Sequence, residues 1–127
     1  MTFIAKQSII VAKIIMTKQI ENFLILADRI SNFNNQLQLL KDKFVDSNIL
    51  FEQGHQFTVN ASLLSLCNSM LSSHRTQNAL LLDDYQNPVL IADLTRFTDD
   101  ALHLYQGNLN RYYVEYQSLL KNKGEMV

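Results

Sequence analysis

From Phe23 onward apolar residues fall at Phe23, Leu26, Ile30, Phe33, Leu37, Leu40 and Phe44, in alternating steps of three and four. Asp28, Arg29, Asn34, Asn35, Gln36, Gln38, Lys41 and Asp42 fill the positions between them. A helix places every third or fourth side chain on one face, so this pattern predicts a long helix with one apolar stripe and one wet face. Thr17 is the expected N-cap, with Glu21 in the first turn to meet the positive end of the helix dipole. The period is lost from Val45 to Gly54, where Asp46, Ser47, Asn48 and Gly54 favour turns, and a connector or short helical turn is expected there.

Phe57, Ala61, Leu64 and Leu71, widened by Leu63, Leu66, Cys67 and Met70, predict a second helix that extends through Leu82. Asp83 to Asn87 form the clearest break, because Asn87 can cap a helix whose first residue is Pro88. A third helix is expected from Pro88 on the stripe Leu90, Leu94, Phe97, Ala101 and Leu104, with Gly107 as a kink or stop. Leu109, Tyr112, Tyr113, Tyr116, Leu119 and Leu120 then repeat the pattern until Lys121, Lys123 and Gly124. The expected fold is all-α, a compact antiparallel bundle of three to four helices.

A chain of 127 residues suits one domain with its own core, and 47% hydrophobic residues with only three Gly and one Pro argue for helices and against disorder. Residues 1–15 add nothing to the helical pattern, so they are read as an N-terminal extension outside the fold, with Met16 as the expected start and 16–127 as a single helical domain. Lys6 and Lys13 interrupt the apolar stretch from Met1 to Ile15, and no small-residue cleavage site follows, so neither a signal peptide nor a membrane segment is expected. Cys67 cannot form an internal disulfide and lies in an apolar run, which predicts a core thiol in a reducing, cytoplasmic compartment.

No zinc-protease or phosphate-loop motif is present, and Asp99 or Asp100 with His103 supplies only two ligands on a helix face, too few to hold zinc. His55 is read as making a structural hydrogen bond beside Gly54, and Asp83 with Asp84 as carboxylates serving the dipole of a following helix. An enzyme is therefore not expected, and no cofactor or metal is implied. The net charge of -1 and pI of about 6.3 give no overall field for nucleic acid, so any DNA contact must come from a local patch. The candidate contacts are Arg29, Lys41 and Lys43 around the first helix and Arg111, Lys121 and Lys123 near the end, where tyrosines interleave with the cations. Tyrosines at that spacing are also what a buried helix face provides.

The succession Phe44, Phe51, His55, Phe57, Ala61, Leu64, Cys67 and then Pro88, with Leu90, Phe97 and Leu104 after it, resembles the N-terminal part of the PriC family, the primosomal replication proteins N''. The resemblance covers roughly Met16 to Leu104, with one extra residue before His55, and it implies a non-catalytic replication-restart factor. Such a factor would bind single-stranded DNA and its binding protein SSB, work with primosome proteins including PriA, and help load the DnaB helicase at stalled forks. The family is basic and carries an Arg-rich C-terminal region, whereas this chain is slightly acidic, so no residue is carried over from that region. The alternative reading is a small helical interaction module, such as an inhibitor, an immunity protein or a chaperone, that packs against one protein partner and ignores DNA.

Overall fold

The computed structural model describes residues 2–125, with side-chain surroundings given for residues 6–123. In chain order it holds α1 (Thr2–Ser47), β1 (Ile49–Glu52), β2 (His55–Thr58), α2 (Ala61–Ser72), β3 (Gln77–Leu82), β4 (Pro88–Asp93) and α3 (Leu94–Glu125). The fold is thus α+β, which corrects the expected all-α bundle: two antiparallel hairpins stand where a connector, the second half of one helix and the start of another were expected. The molecule has two parts, a small head built from both hairpins, α2 and the start of α3, and a stalk in which α1 and α3 pack together.

The first hairpin pairs Ile49 with Thr58 and Glu52 with His55, leaving Gln53 and Gly54 as a two-residue turn. Both turn residues have positive φ, 53° and 80°, as a turn matched to strand twist requires, and Gly54 takes its place without steric cost. The second hairpin pairs Ala79 with Ile91 and Leu81 with Val89 on its inner face, and Leu80 with Leu90 on its outer face. Pro88 opens β4 rather than a helix, and Asn87 lies in the preceding turn instead of capping one. The α3 helix begins six residues later, where the Asp93 carboxylate accepts the Arg96 backbone N–H at 3.0 Å.

Inner residues of both hairpins meet α2 and α3 in one core, with Phe57, Cys67, Ile91, Leu94 and Phe97 almost wholly buried. Phe57 and Phe97 pack edge to face, 5.2 Å between centroids. A second cluster of Val59, Leu64 and Ala101 adjoins it through Leu50 and Leu63. The α2 helix is capped by Asn60, whose side chain accepts the Leu63 N–H at 2.9 Å, and it ends at Ser72 rather than at Leu82.

In the stalk, α1 and α3 run antiparallel, as the pairs Asn48 with Asn108, Phe44 with Tyr112, Lys43 with Glu115 and Phe33 with Lys123 show. Asn48 is buried, and the Asn108 amide donates both to its side chain and to the Ser47 carbonyl, fixing the point where stalk meets head. Thr17 is not an N-cap: it lies inside α1, its hydroxyl donating to the Lys13 carbonyl four residues back. Gly107 neither kinks nor ends α3, which continues through it to Glu125.

Candidate interaction surface

The largest uncovered feature is the N-terminal half of α1. Phe33 is the first buried residue among the described side chains of the helix; Lys123 of α3 lies over its ring, and every described side chain from Lys6 to Asn32 is exposed. Within that arm every large apolar side chain from Ile9 to Ile30 is between 48% and 68% exposed. An apolar helix left in water costs free energy for every Å² it fails to cover, and single surface patches on soluble proteins seldom exceed about 300–600 Å². The stripe from Phe23 to Phe44 is therefore one seam in two states: α3 covers it from Phe33 to Phe44, and among the described residues nothing covers Phe23, Leu26 and Ile30.

The seam also reaches further toward the N-terminus than sequence reading allowed. Stepping back from Phe23 in the same register of three and four gives Gln19, Met16, Ala12 and Ile9, all within the unbroken α1. The signal was masked because Ile10, Val11, Ile14, Leu24 and Ile25 lie outside the seam and are also apolar, so no single face stands out. Residues 2–15 are helical and continuous with the rest of α1.

A second exposed apolar area covers the outer face of the head, where Leu80 and Leu90 sit opposite one another and Leu82 and Tyr85 follow. Its edge is held by polar links: the Gln53 side-chain amide donates to the Leu90 carbonyl, and Arg96 joins Glu52 at 2.6 Å and Asp100 at 3.0 Å.

Asp83 and Asp84 do not serve a helix dipole; they bind the two hairpins to each other. Asp84 accepts from the Thr58 N–H at 2.8 Å, the Thr58 hydroxyl at 2.7 Å and the Gln56 amide at 3.0 Å, and its own N–H donates to the Gln56 carbonyl. Asp83 is buried and accepts the backbone N–H groups of Tyr85 and Asn87 as well as Nδ1 of His55 at 2.8 Å. Burial alone would raise the Asp83 carboxyl, but the donors from Asn87, His55 and Tyr85 together hold it below the ordinary carboxylate value. The His55 partner was not foreseen, because the two residues are 28 positions apart and meet only when both hairpins form. The histidine's structural hydrogen bond is thus made to a side chain rather than to backbone beside Gly54. Cys67 sits in the core, where burial pushes its thiol up; the neighbouring Thr98 hydroxyl offsets part of this and has no other hydrogen-bond partner among the described residues.

The six basic candidates do not gather into one patch of free cations. Lys43 pairs with Glu115 at 2.8 Å, Arg111 donates to the Asn108 side chain at 2.6 Å, and Lys123 lies 4.6 Å over the Phe33 ring. Arg29 lies on the uncovered arm, while Lys41 and Lys121 are exposed on the paired part of the stalk. Tyr112 packs edge to face on Phe44, Tyr116 adjoins Tyr112, and only Tyr113 of that run is largely exposed. Asp100 is engaged by Arg96, and among the described residues no group of three or more His, Cys, Asp or Glu is placed to hold a metal ion. No helix among the described residues is long and apolar enough to cross a membrane.

No family model, no curated protein and no solved structure matches this chain.

Proposed function

We propose that the chain is a protein-interaction module that works by helix packing, with the α1 arm as its docking element and the α+β head as the folded base. The observation that carries this reading is the run of exposed apolar side chains from Ile9 to Ile30, continuous in register with the seam that α3 already covers. A helix apolar on nearly all sides is at home inside a helical assembly, and docking by an amphipathic helix is read from anchors at such spacings. Burial of the lone Cys67 thiol suits a reducing, cytoplasmic setting. The test is photo-crosslinking in the native host from a benzoylphenylalanine placed at Ile20 on the arm and, as a control, at Asp99 on the exposed face of α3. The reading expects discrete protein adducts from position 20 that vanish when Phe23→Asp is added, and none from position 99. An absence of adducts from position 20 would overturn it.

The second reading is the PriC-like restart factor, acting on single-stranded DNA and SSB with PriA and DnaB as further partners. It rests on the residue string from Phe44 to Leu104, and Tyr113, 61% exposed and two residues from Arg111, is a place where a base could stack. Anisotropy of a labelled oligo-dT strand, with and without SSB, tests it. Binding that weakens with salt, or a complex formed only with SSB, supports this reading; no binding in either condition rejects it.

A further inference from the structure

We infer that the occupant of the arm is a second copy of this chain: the Ile9–Ile30 segments of two or more copies join as a parallel coiled coil with Gln19 aligned to Gln19. The inference rests on the docking reading above and names the partner. Three observations carry it.

The first is continuity. Core positions recur at Ile9, Ala12, Met16, Gln19, Phe23, Leu26 and Ile30, three full heptads, in the register that becomes the α1–α3 seam at Phe33. A strict seven-residue repeat is the pattern that keeps a seam turned toward another helix. Because each copy presents the same uncovered seam, two copies satisfy each other at once, which is why self-association closes so readily.

The second is area. The twelve large apolar residues between Ile9 and Ile30 are all about half exposed or more, which leaves on the order of 1,000 Å² of apolar surface per chain. A stable interface needs about 800 Å² from each partner, polar and apolar together, and the seven of these residues on or beside the seam supply the apolar share of it, so one identical arm is enough.

The third is the polar residue and the charge pattern. Gln19 is the one polar side chain on the seam, and only a parallel, in-register arrangement sets it against another amide that can both donate and accept. A shift of one heptad would place it against Ala12 or Leu26. Beside the seam, parallel packing sets Lys13 against Ser8 and Ile20 against Ile15, so no like charges oppose one another. A lipid surface is the poorer occupant, because the helix surface outside the seam mixes charges of both signs, Lys13 and Lys18 with Glu21 and Asp28, and interrupts them with Ile10, Ile14 and Ile25, so it is not the uniformly polar face an interfacial helix turns to water.

The experiment is light scattering after size exclusion on the full chain over a range of concentrations, together with Phe23→Asp and Gln19→Cys. The wild type is expected at a mass at least twice that of the 14.7 kDa chain, and Phe23→Asp at the monomer mass with the head's melting unchanged. Gln19→Cys is expected to form an intermolecular disulfide on mild oxidation, while buried Cys67 does not react. A monomeric wild type at all concentrations overturns the inference, as does an oligomer in which Gln19→Cys fails to cross-link. If the wild type is monomeric yet the cellular photo-adducts from position 20 persist, self-association fails and the docking reading stands. Recruitment of the monomer to anionic vesicles would assign the arm to a lipid surface instead.

Discussion

Phe97 and Phe23 carry the same side chain in opposite surroundings. Phe97 is wholly buried, edge to face with Phe57, whereas Phe23 is 68% exposed on the arm. Replacing a buried Phe by Ala removes its transfer free energy and leaves a cavity, about 3–5 kcal/mol in well-packed cores. For a folded unit of this size each kcal/mol moves the midpoint by roughly 4 °C, so Phe97→Ala should lower Tm by about 12–20 °C. That loss should be the same at low and high protein concentration, because the cavity lies within one chain. Phe23→Ala should cost the isolated chain less than about 0.5 kcal/mol, the range of an ordinary surface change. Its effect should grow with concentration, because what it weakens is association, which shifts stability by mass action. Differential scanning calorimetry at two concentrations a hundredfold apart separates the two. A large loss for Phe23→Ala that does not depend on concentration would refute the reasoning, since it would make the arm part of the chain's own core.

Asp83 predicts an acid limb of stability. Its folded carboxyl titrates below the ordinary value, so its contribution is fully present above about pH 4 and is lost as pH falls through the lower folded value. Asp83→Asn should therefore be less stable than wild type at pH 7, with the gap closing as pH falls below about 4 in urea melts. Asp84→Ala removes a carboxylate that binds three donors on β2 and should cost about 1–2 kcal/mol, read as a lower urea midpoint with an unchanged slope. Asn60→Ala removes the α2 cap and should cost about 1 kcal/mol, with Asn60→Asp close to neutral because a carboxylate can accept the same N–H.

The helical seam was legible because Phe33, Leu37, Leu40 and Phe44 alternate with polar residues, and the same holds for Leu94, Phe97, Ala101 and Leu104 on α3. The hairpins were not. In β3 and β4 the inward residues Ala79, Leu81, Val89 and Ile91 alternate with outward Leu80, Leu82 and Leu90, so burial has period two while hydrophobicity has none. A continuous run of leucines then reads as helix, and the same outward leucines that hid the strands form the exposed face of the head. The first hairpin did carry a signal: Gly54 between Phe51 and Phe57 is what a two-residue turn with positive φ needs. The pattern of Asp83 and Asp84 marks a break in the chain without saying which element follows, since adjacent carboxylates before a Pro suit a hairpin turn as well as a helix start. The arm hides its seam in another way: too many of its faces are apolar for one stripe to stand out.

Hydrogen–deuterium exchange of the full chain, followed by mass spectrometry at a series of concentrations, tests most directly that the arm docks on a second copy of the chain and not in the chain's own core. The account predicts that amides from Ile9 to Ile30 gain protection as concentration rises, while those of β3, β4 and the start of α3 keep the same high protection throughout. Strong protection of the arm that is unchanged on dilution would contradict it, and so would rapid exchange of the arm at every concentration.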